Sequence, residues 1–79
     1  MEYHIHTPSQ LAAALKSSRK TRSITQQLVA SQVGLLPKTV SALENSPDTS
    51  SIDSLFKLLS ALGLEIVLKT KDDTPSGEW

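Results

Sequence analysis

Between Ile52 and Leu62 the apolar residues Ile52, Leu55, Phe56, Leu59 and Leu62 fall at i, i+3, i+4 and i+7 spacing. That is the stripe one face of an α-helix turns toward a core. Ser50 or Ser51 is placed to cap its start, and Gly63 to end it. The same period, more weakly, runs through Leu11, Ala12, Leu15 and Ser18. It predicts a first helix that opens at Thr7-Pro8, a capping residue followed by a proline at the first helical position, and closes near Lys20–Arg22. Basic residues at that end suit the helix dipole. Leu28, Val29, Ala30 and Val33 mark a second, short helix behind Thr25. Gly34 stops it, Leu35 and Leu36 cross a turn, and Pro37 opens a third helix with Val40 and Leu43 facing inward.

Two stretches follow the period of a strand. Tyr3 and Ile5 alternate with His4 and His6, and Leu64, Ile66 and Leu68 alternate with Glu65, Val67 and Lys69. A single strand leaves its backbone groups unpaired. The later stretch therefore calls for the early one, or for a second copy of the chain. Asn45-Ser46-Pro47-Asp48 reads as a loop. The last stretch, TKDDTPSGEW, is polar and rich in turn formers, and reads as a disordered tail carrying the only Trp of the chain. No internal repeat is visible.

The expected organisation is one domain over residues 1–69 and a tail over 70–79. A domain of 79 residues buries only about 60% of its unfolded surface. With no Cys, neither a disulfide nor a thiolate metal site can support it, which leaves oligomerisation. Leu64, Ile66 and Leu68 are then the candidate homodimer interface. No apolar run approaches the ~20 residues that span a bilayer, and no signal-peptide pattern opens the chain. No membrane association is expected, and the cytoplasm is the expected compartment. Net charge is zero, but it is unevenly spread: residues 1–45 hold five basic against two acidic side chains, residues 46–79 three against six. A basic half suits phosphates and an acidic half suits another partner.

The central segment QQLVASQVGLLPKTVSALEN combines these signals. Two short helices joined by a tight turn at a Gly make a helix-turn-helix. Ala30 lets the helices cross closely, while Val29, Val33, Leu35, Val40 and Leu43 set their angle. Pro37, Lys38, Thr39, Ser41 and Ala42 are left outward, small or polar residues that a DNA major groove accepts. Lys38 is the candidate base-edge or phosphate contact. Gln26 and Gln27 stand at a helix start where a phosphate could sit, and Asn45 could donate to another; each of the three also reads as an ordinary helix or loop residue. Lys16, Lys20 and Arg22 add nonspecific attraction or form a solvated basic face. An H-x-H pair, His4 and His6, lacks the further ligands a metal site needs, so the histidines read as exposed surface residues. Trp79 on a polar tail is a candidate anchor in a partner's pocket. No nucleophile elbow, phosphate-binding Gly loop or metal cluster accompanies the serines, so no enzyme and no cofactor is expected.

In its order of helices the chain resembles the phage-repressor (Xre/Cro-like) type of DNA-binding domain, through ITQQLVASQVG and KTVSALEN. That resemblance implies a pair between Arg19 of the first helix and Glu44 near the end of the third. Over nearly the whole chain, from HTPSQL through ENSPD and FKLLSALGLEIVL to the terminal Glu-Trp, it is similar to the HipB-like antitoxins of HipBA-type toxin–antitoxin modules. What the resemblance implies is a mainly α, four- to five-helix helix-turn-helix domain whose short C-terminal strand pairs across a homodimer. It also implies palindromic operator double-stranded DNA and a HipA-like Ser/Thr kinase toxin as partners, the kinase held by the tail and Trp79. Leu36, where the family usually carries a Ser or Thr cap, departs from the pattern. So do Ser23, where a Gly often closes the first helix, and Pro37, which brings no hydrogen-bonding side chain to a base-contacting position. Two other readings fit the same residues: a plain transcriptional repressor, and an interaction adaptor that kept the fold without DNA binding.

Overall fold

Four α-helices and one 3-10 turn make up the computed structural model, which describes residues 2–70. They are α1 (Pro8–Thr21), α2 (Gln26–Gln32), α3 (Pro37–Asn45) and α4 (Ile52–Leu62), with the 3-10 turn at Pro47–Thr49 between α3 and α4. Side chains start three of the helices. Thr7 Oγ1 accepts from the Gln10 N–H at 3.1 Å, Thr25 Oγ1 from Leu28 N–H at 3.0 Å, and Ser51 Oγ from Ser54 N–H at 3.0 Å. Each satisfies a donor the helix itself leaves orphaned. At the start of α1 the Gln10 side chain also reaches back and accepts from the His6 N–H at 2.6 Å. Only α3 begins without a side-chain cap, because Leu36 holds the position.

The first, second and fourth helices end alike. Ser23, Gly34 and Gly63 adopt left-handed backbone, with φ of 57°, 70° and 68°. The next N–H in each case returns to a carbonyl five residues back: Ile24 to Arg19, Leu35 to Ala30, Leu64 to Leu59. This 6→1 bond defines a Schellman end, and an apolar residue at that position packs back on the helix. Ile24, Leu35 and Leu64 do pack against the core. The turns are therefore part of the hydrophobic interior rather than spacers around it.

That interior is built from Leu15, Val29, Ala30, Val40, Leu43, Leu55, Leu58, Leu59 and Leu62. Each large side chain buried there contributes roughly 1.5–3 kcal/mol. Two expectations about α4 change. Leu58, absent from the predicted stripe, is fully buried, while Ile52 and Phe56, both placed in the core, are 68% and 52% exposed. At ~100° per residue, Leu58 falls beside Leu55 and Leu62, whereas Phe56 is carried to the flank. Val33 and Leu35 are half-buried rather than buried.

Neither expected strand forms among the described residues. Residues 2–6 and 64–70 have no regular secondary structure, so the Tyr3–Ile5 segment is not the partner of the Leu64–Lys69 segment. Leu64 is half-buried at the rim of its own core; Ile66, Val67 and Leu68 are 47%, 61% and 87% exposed. Trp79 and residues 71–78 lie outside the described residues. No described helix is long and apolar enough to cross a membrane.

Candidate nucleic-acid interface

α3 is held from beneath. Val40 and Leu43 are buried on its inner face, and beside them lies Glu44, its side chain fully inaccessible. A carboxylate there requires partners for both oxygens. Arg19 of α1 supplies two of them: Nε donates to Glu44 Oε2 at 2.6 Å and Nη2 to Oε1 at 3.1 Å. The third guanidinium nitrogen, Nη1, donates to the Ile24 carbonyl at 2.8 Å, which ties the Schellman end of α1 into the same cluster. The Gln26 amide of α2 donates to Glu44 Oε1 at 3.1 Å. One carboxylate thus fixes α1, the start of α2 and the end of α3 relative to one another. The hydrogen bond with Glu44, aided by its charge and opposed by burial, raises the Arg19 guanidinium above its ordinary pKa.

The opposite face of α3 is open. Pro37 and Lys38 are exposed at its first turn; Thr39, Ser41 and Ala42 are half-buried. Lys38, Thr39 and Ala42 line a shallow concavity whose other wall is Thr49, Ser50 and Ser51, at the entry to α4. These three hydroxyl residues were not among the sequence candidates. The signal available in the sequence is the Ser/Thr-rich run itself, of which only Ser50 and Ser51 read as capping residues. Ser50 Oγ is buried and has no hydrogen-bond partner.

Other candidates are engaged elsewhere. Gln26 turns its amide to Glu44 rather than outward, so only Gln27 of that pair is an exposed side chain. Asn45 Nδ2 donates to its own helix, to the Ser41 carbonyl at 2.7 Å and to Ser41 Oγ at 3.3 Å. Arg22 lies over the C-terminal end of α4: a Cβ on Gly63 would stand 2.6 Å from Arg22 Nη2. A cation there suits the helix dipole. Lys16 and Lys20 are exposed, as are His4 and His6. No group of three or more metal-ligating side chains occurs among the described residues.

Comparison with known proteins places this geometry. The family model Helix-turn-helix matches residues 15–68. Antitoxin HipB of Escherichia coli O6:H1 is 39% identical over 64 residues, which covers 81% of this chain and 68% of that protein. Among solved structures, HipB in a HipA-HipB-O2-O3 complex superimposes with a TM-score of 0.84 at 35% identity, covering 87% of this chain and 97% of that one. A HipB variant in complex with an O2 20mer gives 0.86 at 33% identity, covering 91% and 100%.

Proposed function

The chain belongs to the HipB family of helix-turn-helix antitoxins, and from that premise we propose that it is an antitoxin and autorepressor. In this reading it binds palindromic operator DNA as a dimer and restrains a HipA-like kinase. The observation that carries the reading is the likeness, at a TM-score of 0.84, to a HipB chain solved with HipA and O2-O3 together.

The geometry supports the DNA half. Each protomer sets the first turn of α3 into a major groove, Lys38 foremost, while the Arg19–Glu44–Gln26 cluster fixes the helix from the protein side. A cation on an exposed first turn meets base edges or phosphate. Thr49, Ser50 and Ser51 flank the approach. Two-fold symmetry then spaces the half-sites by about one helical turn, ~34 Å. Dimerisation falls to the C-terminal segment. Ile66 and Leu68 carry it, with Val67 beside them, because these exposed apolar residues find no cover within the protomer. Pairing of this segment with its copy across the two-fold supplies the hydrogen-bond partners a strand needs. Leu64, packed on its own core, contributes by anchoring the segment's start. The tail, residues 70–79, and Trp79 serve the kinase, and the chain itself performs no catalysis.

The test is titration of the purified protein against DNA from upstream of its own gene and against a scrambled fragment, at two salt concentrations. Preference for the upstream fragment should survive added salt. The Lys38→Ala variant should lose about 1–3 kcal/mol if Lys38 reads a base. Equal binding to both fragments that vanishes with salt would reduce the interface to charge attraction and overturn sequence-specific repression.

A further inference from the structure

Among the described residues, eight large apolar side chains are exposed, and only Leu36, at 59%, stands at the opening of α3. It contributes nothing to the fold around it. Its neighbour Leu35 closes the turn: the N–H bonds to the Ala30 carbonyl at 2.9 Å and the side chain packs against the core. Leu36 does not pack there. It holds the N-cap of α3 in extended backbone, φ −85° and ψ 148°, the conformation that a capping Ser, Thr, Asp or Asn also adopts. Any of those would satisfy an orphan N–H of the first turn, and a leucine satisfies none.

Leu36, Pro37 and Lys38 form one continuous exposed run. The first two have no polar side-chain atom, and Pro37 lacks even a backbone N–H. Against base edges their side chains can recognise nothing by hydrogen bonding. In the major groove every base pair displays donors and acceptors, but only thymine adds an apolar group, its C5 methyl. An aliphatic surface at the entry to a recognition helix has that one partner among the base edges.

We propose that Leu36, with Pro37 beside it, packs on a thymine methyl in each half-site and so selects thymine over cytosine there. The role rests on the operator-binding reading above and deepens it. Lys38, two residues further on, supplies charge toward guanine or phosphate. Leu36 supplies a discrimination that charge does not. A cytosine in the same place sets an N4 amino group against the leucine, which removes the apolar contact and leaves a donor unpaired. An apolar contact also displaces no counterion, so its share of the affinity does not fall with salt.

The experiment uses the full-length chain and its own upstream DNA, with each thymine replaced in turn by deoxyuridine, which lacks only the C5 methyl. Loss of the methyl that packs on Leu36 should weaken binding about fourfold per half-site, equally at low and high salt. Leu36→Ala should bind the unmodified DNA more weakly and lose its sensitivity at that thymine. Leu36→Met, which keeps a long apolar side chain, should retain it. The position is exposed and uncapped in all three forms, so they should melt together. If no thymine is sensitive, or if the same thymine stays sensitive in Leu36→Ala, the role of Leu36 is overturned while the operator reading stands. If the unsubstituted protein does not prefer its upstream DNA to a scrambled fragment, the operator reading itself falls, and the role of Leu36 with it.

Discussion

The two helices that frame the candidate interface are stabilised in opposite ways. α4 carries its own instructions: Ser51 at its start, Gly63 in left-handed backbone at its end, and four leucines on one face. α3 carries few. It has no side-chain cap and no Schellman end, and its position is set by Val40, Leu43 and the carboxylate of Glu44 bound to two other helices. Anchors at the far end and underside leave the first turn of α3, with Pro37 and Lys38, exposed.

The difference can be broken at its strongest point. Arg19→Ala leaves the Glu44 carboxylate buried and uncompensated, and should cost about 3–5 kcal/mol of unfolding free energy. The double replacement Arg19→Met/Glu44→Leu should recover most of that loss in a denaturant titration. A single-variant loss below about 1 kcal/mol, against the surface-pair range, would mean that α3 does not depend on the cluster. Because the folded state raises the Arg19 pKa, the sign is clear: the contribution is complete below the unfolded pKa of arginine and is lost only as pH climbs through the folded one. Stability at neutral pH should therefore show no slope from this arginine.

In α4 the large effect is packing. Leu58→Ala should cost about 2–5 kcal/mol by opening a cavity in the shared core. Retention of wild-type stability would refute its place there. Smaller and opposite effects are expected at the two caps. Ser51→Ala should lower stability by about 1 kcal/mol, and Leu36→Ser should raise it by a similar amount, with a melting shift of about 4–8 °C for each 1 kcal/mol in a domain this small. If Leu36→Ser stabilises but also weakens operator binding, the missing cap serves the interface. A change of the same size tests the end of α1: Ser23→Gly relieves a left-handed serine and should raise stability by roughly 1 kcal/mol in the same melting measurement.

Much of this was readable from residue order. Thr7, Thr25, Gly34 and Gly63 act through local chemistry, so their roles as caps and stops follow from identity and neighbours alone. The helix-turn-helix was legible because Ala30, Gly34, Val40 and Leu43 satisfy one geometry jointly. The split of the α4 stripe was not: Ile52 and Phe56 are as apolar as Leu58, and only the direction from which α1, α2 and α3 arrive decides which of them is covered. The engagement of Gln26, Asn45 and Arg22 was equally hidden, since each depends on where a side chain turns after the helices have met. The strand expected at Leu64–Lys69 does not form in the protomer, because its alternating residues Ile66 and Leu68 meet nothing there and stay exposed.

The three Schellman ends carry a consequence for amide exchange. The N–H groups of Ile24, Leu35 and Leu64 lie outside the helices, in turns where rapid exchange with solvent deuterium would ordinarily be assigned. Each is bonded to a helix carbonyl and backed by a side chain in the core, so it can be released only when the helix end opens. These three amides should exchange with the helices they terminate. The protection map should then fall sharply after Leu64 in the protomer, and that edge should move toward Lys69 if, as proposed, a second copy pairs with this segment.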